Sequence, residues 1–137
     1  MGCIIALDVG TKTIGIARAS TDARLATPHS TLSRKGVKQD VVRLAHLTTE
    51  LTAELVVVGL PFELDGSEGR SARLARQVGD ALGTATGIPV FYQDERSSTV
   101  VAEERLRAAG YNGYQRKSII DQAAAAVILG DYFDQSS

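Results

Sequence analysis

The sequence predicts an α/β sandwich whose mixed sheet opens with an antiparallel hairpin. Two short apolar runs separated by a glycine-containing turn begin the chain, which is typical of a hairpin. A continuous β-branched run, LVVVG at 55–59, indicates a central strand covered on both faces. Helical patterns alternate with the later strands, and this alternation favours parallel pairing. Because 137 residues is about the length of one domain, we expect a single domain over residues 1–137.

The first part of the chain supplies the hairpin, a weaker strand and a helix. The runs CIIALD at 3–8 and IGIARA at 14–19 flank the hairpin turn, and a third strand is predicted near 26–32. A helix is predicted over 38–54 because apolar residues recur there at helical spacing. These residues are Val37, Val41, Leu44, Leu47 and Leu51.

Three further helices and two strands complete the pattern. The strand at 55–59 is followed by a loop at 60–69 that contains two glycines and a proline. The remaining predicted elements are a helix at 70–82, a strand at 89–94, a helix at 97–109 that ends before Gly110, and a last helix at 118–133. The predicted sheet has about five strands, and ligands of such sheets bind beyond the carboxyl ends of the strands.

Composition limits the kinds of function. The 15 basic and 16 acidic residues give a formal net charge of −1, whereas small proteins that coat nucleic acid are usually strongly basic. Any contact with nucleic acid must therefore use local positive charge. The single cysteine, Cys3, excludes an intrachain disulfide and a multi-cysteine zinc site. No apolar run approaches the ~18–20 residues that span a bilayer, so we expect a cytoplasmic protein with no membrane partner.

Acidic residues stand at the predicted strand ends and at the start of the last helix. Asp8 ends the first strand, Asp94 and Glu95 close the last strand, and Asp121 opens the final helix. Hard divalent cations such as Mg²⁺ take carboxylate oxygens as ligands, and two such ions ~4 Å apart can activate a water for phosphodiester hydrolysis. Convergence of these carboxylates at one edge of the sheet would suit that chemistry.

Each of these acids also has a structural explanation. Asp8 precedes a glycine turn, where aspartate commonly accepts hydrogen bonds from backbone amides. The segment SIID at 118–121 fits a capping box, in which the acid reaches back to the helix start. Asp94 and Glu95, which close the last strand, could pair with Arg96 or complement the positive end of the next helix. Spacing alone leaves these alternatives open.

Four segments carry a resemblance to a known family. They have the order and spacing found in that family: LDVGTKTIGIA at 7–17, VVVGLPFELDGSEGRSA at 56–72, DERSST at 94–99 and IDQAAAAVIL at 120–129. The chain resembles the YqgF/RuvX family over essentially its whole length. Members of that family are described as Holliday junction resolvases and as nucleases that mature the precursor of small-subunit ribosomal RNA.

The resemblance implies a ribonuclease H-like fold and metal-dependent phosphodiester hydrolysis, with Mg²⁺ or Mn²⁺ as the cofactor. Matched segment by segment, it implies that Asp8, Glu95 and Asp121 are the catalytic, metal-binding acids, with Asp94 as a weaker fourth candidate. In the broader ribonuclease H-like pattern, the second acid often follows the strand after the first helix. Here that strand ends in GLP at 59–61, so the role would pass to Glu95 on the neighbouring strand.

Basic residues beside these segments are candidate phosphate contacts. Arginine suits bidentate contacts with phosphate, and such contacts position a nucleic-acid backbone without reading its bases. Arg70, Arg73 and Arg76 recur at three-residue spacing on a predicted helix, which is also typical of a solvated helix face. The candidate nucleic-acid contacts are Lys12, Arg70, Arg73, Arg96, Arg116 and Lys117.

Three functional hypotheses follow. The first is a nuclease that processes the 5′ end of precursor rRNA or resolves branched DNA, as a monomer or homodimer, with ribosomal particles as further partners. The second is a phosphate-binding relative of the actin-like ATPases, whose first phosphate loop resembles DVGTKTIG; those proteins need two such domains. The third is a non-catalytic module that binds structured RNA or ribosomes. The sequence does not separate an RNA substrate from a DNA junction.

Overall fold

The computed structural model describes residues 2–95 and 98–136 of the chain. Its elements follow the predicted order of three strands and then alternating helices and strands. They are β1 (Cys3–Val9), β2 (Thr13–Ser20), β3 (Thr27–Ser33), α1 (Val37–Glu50), β4 (Ala53–Pro61), α2 (Arg70–Thr86), β5 (Val90–Glu95), α3 (Ser98–Ala108) and α4 (Gly113–Ser136).

The five strands form one mixed sheet in the order β3-β2-β1-β4-β5. β2 pairs antiparallel with both β1 and β3, whereas β4 runs parallel to β1 and to β5. The parallel strands are joined through helices, because a parallel connection must cross over the sheet. This arrangement confirms the predicted α/β sandwich with an antiparallel opening section.

Side chains of β1 alternate between the two faces of the sheet. Ile5 and Leu7 belong to the cluster that packs against α1 and α2. Ile4 and Ala6 belong to a second cluster, which contains residues of α4. Asp8 follows Ile4 and Ala6 at two-residue spacing, so its side chain lies on the face of the sheet that α4 covers. It is near the edge where the parallel strands end.

Two glycines let α4 approach the sheet closely. A Cβ atom on Gly15 of β2 would lie 1.9 Å from the carbonyl oxygen of Asp121, and one on Gly59 of β4 would lie 2.4 Å from Cδ1 of Ile128. The small, mostly buried residues 123–126 of α4 fit the same close packing. The glycines of the sheet therefore set how near the helix comes to β1.

The carboxyl ends of α1, β4 and α2 lie two to four residues from their predicted positions. α1 ends at Glu50 and not at 54, because Thr52 has a left-handed φ of 52° and Ala53 already pairs with Cys3 in the sheet. β4 continues through Pro61, which shortens the predicted loop at 60–69. α2 passes 82 and ends only before Gly87, whose φ of 74° provides the left-handed cap.

The start of α4 is the largest correction. The helix begins at Gly113, five residues before the predicted start at 118. Asn112 and Gln115 form a reciprocal capping box: each side-chain oxygen accepts a hydrogen bond from the other residue's backbone N–H, at 2.8 and 2.9 Å. The capping box predicted for 118–121 is therefore wrong, and Asp121 lies inside the helix. None of the helices in the described ranges is long and apolar enough to cross a bilayer.

Candidate active site

Asp8 is the residue around which the candidate site is built. It lies near the end of β1, is partly buried, and faces Gly15 across the antiparallel pair with β2. On the other side, β1 pairs with β4 up to Leu7 and Val58, which brings Gly59 beside Asp8. Two glycines therefore flank Asp8 in the sheet, and neither places a side chain over its carboxylate.

Glu95 reaches the same face of the sheet from β5. It is the last residue of that strand and is opposite Pro61 of β4. Phe91, four residues earlier and hence on the same face, contacts the ring of Tyr132 in α4 with ring centroids 5.3 Å apart. Asp94 is exposed and alternates to the opposite face, on which Tyr92 packs against α2.

Asp121 approaches from above the sheet. Its backbone carbonyl lies over Gly15, and its carboxylate Oδ2 accepts a hydrogen bond of 2.5 Å from the hydroxyl of Thr13. Because Thr13 and Gly15 lie on the same face of β2, both contacts anchor the same turn of α4 next to Asp8. Thr13 is not among the site residues predicted from the sequence, where its only signal is its place in the TKTIG segment at 11–15.

The charges of the three acids are coupled. The pKa of Asp8 is raised from 3.8 to about 7, first by burial, then by the negative charges of Glu95 and Asp121. Because the charges of Glu95 and Asp121 both affect the pKa of Asp8, the three acids predicted from the sequence lie near one another in the structure. Burial and like charge both penalise the ionised form of a carboxylic acid.

The fit to a divalent cation rests on this donor set. Three carboxylates from separate elements are hard oxygen ligands, and a cation would relieve the repulsion that raises the pKa of Asp8. Within residues 2–95 and 98–136, no three His, Cys, Asp or Glu side chains already form a group that could hold a metal ion. Mutual repulsion opposes such a group when no cation compensates the charges.

Gln93 adds a buried polar group to this face of the sheet. It is opposite Gly59 on β4 and is only 1% exposed. Its Nε2 donates to the carbonyl of Asp94 at 3.3 Å, while its Oε1 has no hydrogen-bond donor among the described residues. A buried amide oxygen is normally paired with a donor, so this atom suits a site that binds a polar or charged group.

Basic residues lie near the same edge of the sheet as Asp8, but beside α2 instead of α4. Thr11 of the β1–β2 turn lines a surface cavity of about 560 Å³ together with four residues of α2: Arg70, Arg73, Leu74 and Gln77. Lys12, next to Thr11, is exposed, as are Arg70 and Arg73. The structure therefore brings three of the six candidate phosphate contacts to one region.

Arg76, which is not one of the six candidates predicted from the sequence, and the three remaining candidates are placed differently. Arg76 is paired with Glu68 at 2.6 Å and lies over the ring of Tyr92, so it does not extend the basic surface. Arg116 is 20% exposed, lies 3.7 Å from Glu103 and donates to a backbone carbonyl at 2.8 Å. Lys117 is exposed on α4. Arg96 lies outside the described residues.

Comparison with known sequences identifies relatives along nearly the whole chain. A sequence profile for the family described as RuvX, Holliday junction resolvase, matches residues 2–135. A protein of Anaeromyxobacter sp. (strain Fw109-5) named "Putative pre-16S rRNA nuclease" is 42% identical over 130 residues, covering 95% of this chain and 95% of that protein. A protein of the same name from Chloroflexus aurantiacus is 39% identical over 131 residues, covering 96% of this chain and 86% of that protein.

Solved structures share the fold at low sequence identity. T. thermophilus RuvC in complex with Holliday junction substrate is similar with a TM-score of 0.57 and 17% identity, covering 99% of this chain and 96% of that one. The Fowlpox virus resolvase in complex with Holliday junction DNA has a TM-score of 0.58 and 12% identity, covering 98% of this chain and 97% of that one. These similarities confirm the ribonuclease H-like fold. The profile match and the identity near 40% establish more: the chain belongs to the RuvX family.

Proposed function

We propose that this chain, as one domain over residues 1–137, is a divalent-metal-dependent nuclease that hydrolyses phosphodiester bonds of structured nucleic acid. The observation that supports the proposal is that Asp8 of β1 and Glu95 of β5 lie on the face of the sheet that α4 covers, where Asp121 is held against β2. The negative charges of Glu95 and Asp121 add to burial in raising the pKa of Asp8. Carboxylates with shifted pKa values that come together from separate elements are typical of functional sites. Their mutual repulsion does not stabilise the folded protein unless a positive group joins them.

Asp8, Glu95 and Asp121 would hold Mg²⁺ or Mn²⁺. When bound, such a cation supplies Lewis-acid polarisation of the phosphodiester and of an attacking water. Asp94 is left out of the set because it faces the other side of the sheet. Glu95 takes the role of the second acid because Gly59 and the residues after it on β4 offer no carboxylate.

The protein's own residues would orient the substrate across this edge. Lys12, Arg70 and Arg73 would contact phosphates that flank the scissile bond, since they lie beside the β1–β2 turn that follows Asp8. Their charges compensate phosphates locally, which agrees with a net charge near zero for the whole chain. Arg116 is a weaker candidate because its guanidinium is engaged with Glu103 and a backbone carbonyl.

The substrate we propose is the 5′ region of precursor 16S rRNA. Relatives about 40% identical to this chain carry "pre-16S rRNA nuclease" in their names, which specify the RNA but not its 5′ end. The solved structures that contain Holliday junctions are only 12–17% identical to it and support the fold alone. Four-way DNA junctions are therefore the second substrate to test, since the family description names them.

A cleavage assay tests the proposal. Labelled precursor 16S rRNA leader, a four-way DNA junction and duplex DNA are incubated with the protein in Mg²⁺, Mn²⁺, Co²⁺ or EDTA. We expect metal-dependent cleavage of the RNA by the wild type and by Asp22→Asn, which changes an exposed acid in the turn after β2. Asp8→Asn should fold and lose cleavage; unchanged activity in Asp8→Asn would defeat the proposed mechanism.

Other outcomes of the assay identify the alternatives. RNA binding with no cleavage in Mg²⁺, Mn²⁺ or Co²⁺ would instead support the non-catalytic module. Cleavage of the DNA junction alone would reassign the substrate without changing the site. A cytoplasmic location, ribosomal partners and the choice between monomer and homodimer stay predictions.

A further inference from the structure

The hydroxyl of Thr13 donates a 2.5 Å hydrogen bond to Oδ2 of Asp121. The two residues are 108 positions apart, so the bond joins the opening hairpin directly to the last helix. A donor on an ionised carboxylate makes a strong, charge-assisted hydrogen bond. The bond also fixes the plane of the carboxylate, while the second oxygen keeps its capacity to bind a cation.

Thr13 is held rigidly enough to act as an anchor. Its carbonyl accepts a 2.8 Å hydrogen bond from the N–H of Gly10, which closes the β1–β2 turn. Thr13 is also paired with Ser33 of β3. The carbonyl of the preceding residue, Lys12, accepts a 2.9 Å hydrogen bond from the backbone N–H of Arg34. A β-branched residue in a strand has few χ1 rotamers, so its hydroxyl points in a defined direction.

Asp121 needs such an anchor because of its place in α4. It lies inside the helix and not at a cap, so no helix-end amide holds its side chain. Its backbone is fixed by close contact with Gly15, but that contact does not determine where the carboxylate points. Gly15 therefore determines the position of the Asp121 backbone, whereas the hydrogen bond from Thr13 determines the direction of the Asp121 carboxylate.

We propose that Thr13 is a positioning residue, which acts through Asp121 to preorganise the divalent-cation site. The inference rests on the proposed function, because it assumes that Asp121 is a cation ligand. Groups that orient ligands commonly change metal affinity or activity ~10–100-fold when they are removed. Thr13 does not need to touch the cation or the substrate in this role.

The test is a calorimetric titration with Mn²⁺ alone, which needs no nucleic acid. Thr13→Val keeps the shape and removes the hydroxyl, and it should weaken Mn²⁺ binding ~10-fold or more. Thr13→Ser keeps the hydroxyl and should bind within about threefold of wild type. Thr27→Val makes the same chemical change at an exposed position of β3 and should bind like wild type.

A double variant separates positioning from a general effect on folding. In an Asp121→Ala background, which removes the carboxylate that Thr13 orients, Thr13→Val should cause no further loss of Mn²⁺ affinity. Wild-type affinity in Thr13→Val, or a greater loss in Thr13→Ser than in Thr13→Val, would overturn the proposal. A wild-type protein that binds no Mn²⁺ would instead overturn the proposed function, so the two failures are distinguishable.

Discussion

Gly15 lies directly against the backbone of Asp121, and its missing side chain sets how closely α4 approaches β2. A Cβ on Gly15 would meet the carbonyl oxygen of Asp121 at 1.9 Å and its carbonyl carbon at 2.2 Å. Both of these are backbone atoms, which cannot rotate away as the end of a flexible side chain would. Gly15 is also the cross-strand partner of Asp8, so the same contact brings two of the proposed ligands together.

Gly15→Ala should therefore displace the helix and weaken the site. Overpacking of this kind typically costs ~1–3 kcal/mol of unfolding free energy. We expect urea unfolding to show a loss in this range and Mn²⁺ affinity to fall with it. Gly130→Ala is the matched control: nothing lies within 4 Å of its added Cβ, and alanine in a helix should stabilise by ~0.5–1 kcal/mol. Equal stability of the two variants would contradict the close contact.

The raised pKa of Asp8 predicts a pH-dependent stability. Asp8 titrates near 7 in the folded protein and near 3.8 when unfolded, so the folded state binds more protons between these values. Without metal, this group's contribution to the unfolding free energy falls as the pH rises from about 4 to 7, and it changes no further above 7.

Asp8→Asn removes this penalty. In EDTA, its stability relative to wild type should increase by ~3 kcal/mol between pH 5 and pH 8. Urea unfolding at the two pH values measures the difference. Added Mn²⁺ should stabilise the wild type at pH 8 and leave Asp8→Asn unchanged. A difference between the two proteins that is the same at pH 5 and pH 8 would show that Asp8 is not perturbed.

Alternation along β5 predicts different roles for two neighbouring acids. Glu95 lies on the face that α4 covers, whereas Asp94 lies on the face of α2. Glu95→Gln should lower Mn²⁺ affinity at least ~10-fold, as expected for loss of a charged ligand. Asp94→Asn should lower it less than about twofold, because its charge lies across the sheet. Calorimetry that ranks the two variants in the reverse order would refute the assignment of Glu95.

The two arginines of α2 should differ in nucleic-acid binding. Arg73 is exposed beside the β1–β2 turn, whereas Arg76 is already paired with Glu68. Arg73→Gln should weaken RNA binding and reduce the slope of log affinity against log salt by about one. Arg76→Gln should leave that slope unchanged. Fluorescence anisotropy in EDTA over a range of KCl concentrations measures both; an effect of Arg76→Gln alone would move the interface away from the cavity.

A buried ion pair supports the turn that follows Asp8. Asp40 is fully buried and accepts hydrogen bonds from Nε of Arg34 at 3.0 Å and from the N–H of Lys35 at 2.9 Å. Arg34 in turn donates to the carbonyl of Gly10 at 3.1 Å. Burial opposes ionisation of Asp40, but the hydrogen bonds from Lys35 and Arg34 and the charge of Arg34 outweigh it and lower the pKa.

Asp40→Ala should cost ~3–5 kcal/mol in urea unfolding at pH 7, because it leaves Arg34 buried without its carboxylate. The lowered pKa means that this stabilisation is complete above about pH 4 and is lost as the pH falls through the folded-state pKa. The exposed acid Asp22 provides the control, since Asp22→Ala should cost less than ~0.5 kcal/mol. A cost that did not shrink at low pH would contradict the ionised pair.

The elements of the fold could be predicted from the sequence because hydrophobic periodicity is a local signal. Their ends could not, since tertiary contacts decide them. Thr52 leaves the helical region so that Ala53 can join the sheet, and Gly87 rather than an earlier residue ends α2. The predicted start of α4 lies five residues too late because SIID at 118–121 and NGYQ at 112–115 both fit a capping box, and the structure uses NGYQ.

The candidate acids could also be selected from the sequence, because carboxylates at strand ends and the resemblance to the family converge on them. The sequence did not indicate what orients them. The hydrogen bond between Thr13 and Asp121 spans 108 residues, and Gly15 falls within IGIARA at 14–19, where nothing local distinguishes it from a residue of an ordinary hairpin strand. Contacts of this kind depend on where α4 crosses the sheet, and no local pattern encodes that position.

The central claim is that Asp8, Glu95 and Asp121 share one divalent cation. A crystal structure of the protein grown with Mn²⁺, with anomalous diffraction recorded to locate the metal, tests it most directly. We expect an anomalous peak with oxygens of all three carboxylates about 2 Å away, a peak that Asp8→Asn abolishes. Mn²⁺ bound elsewhere, or these three carboxylates separated in crystals saturated with Mn²⁺, would contradict the claim.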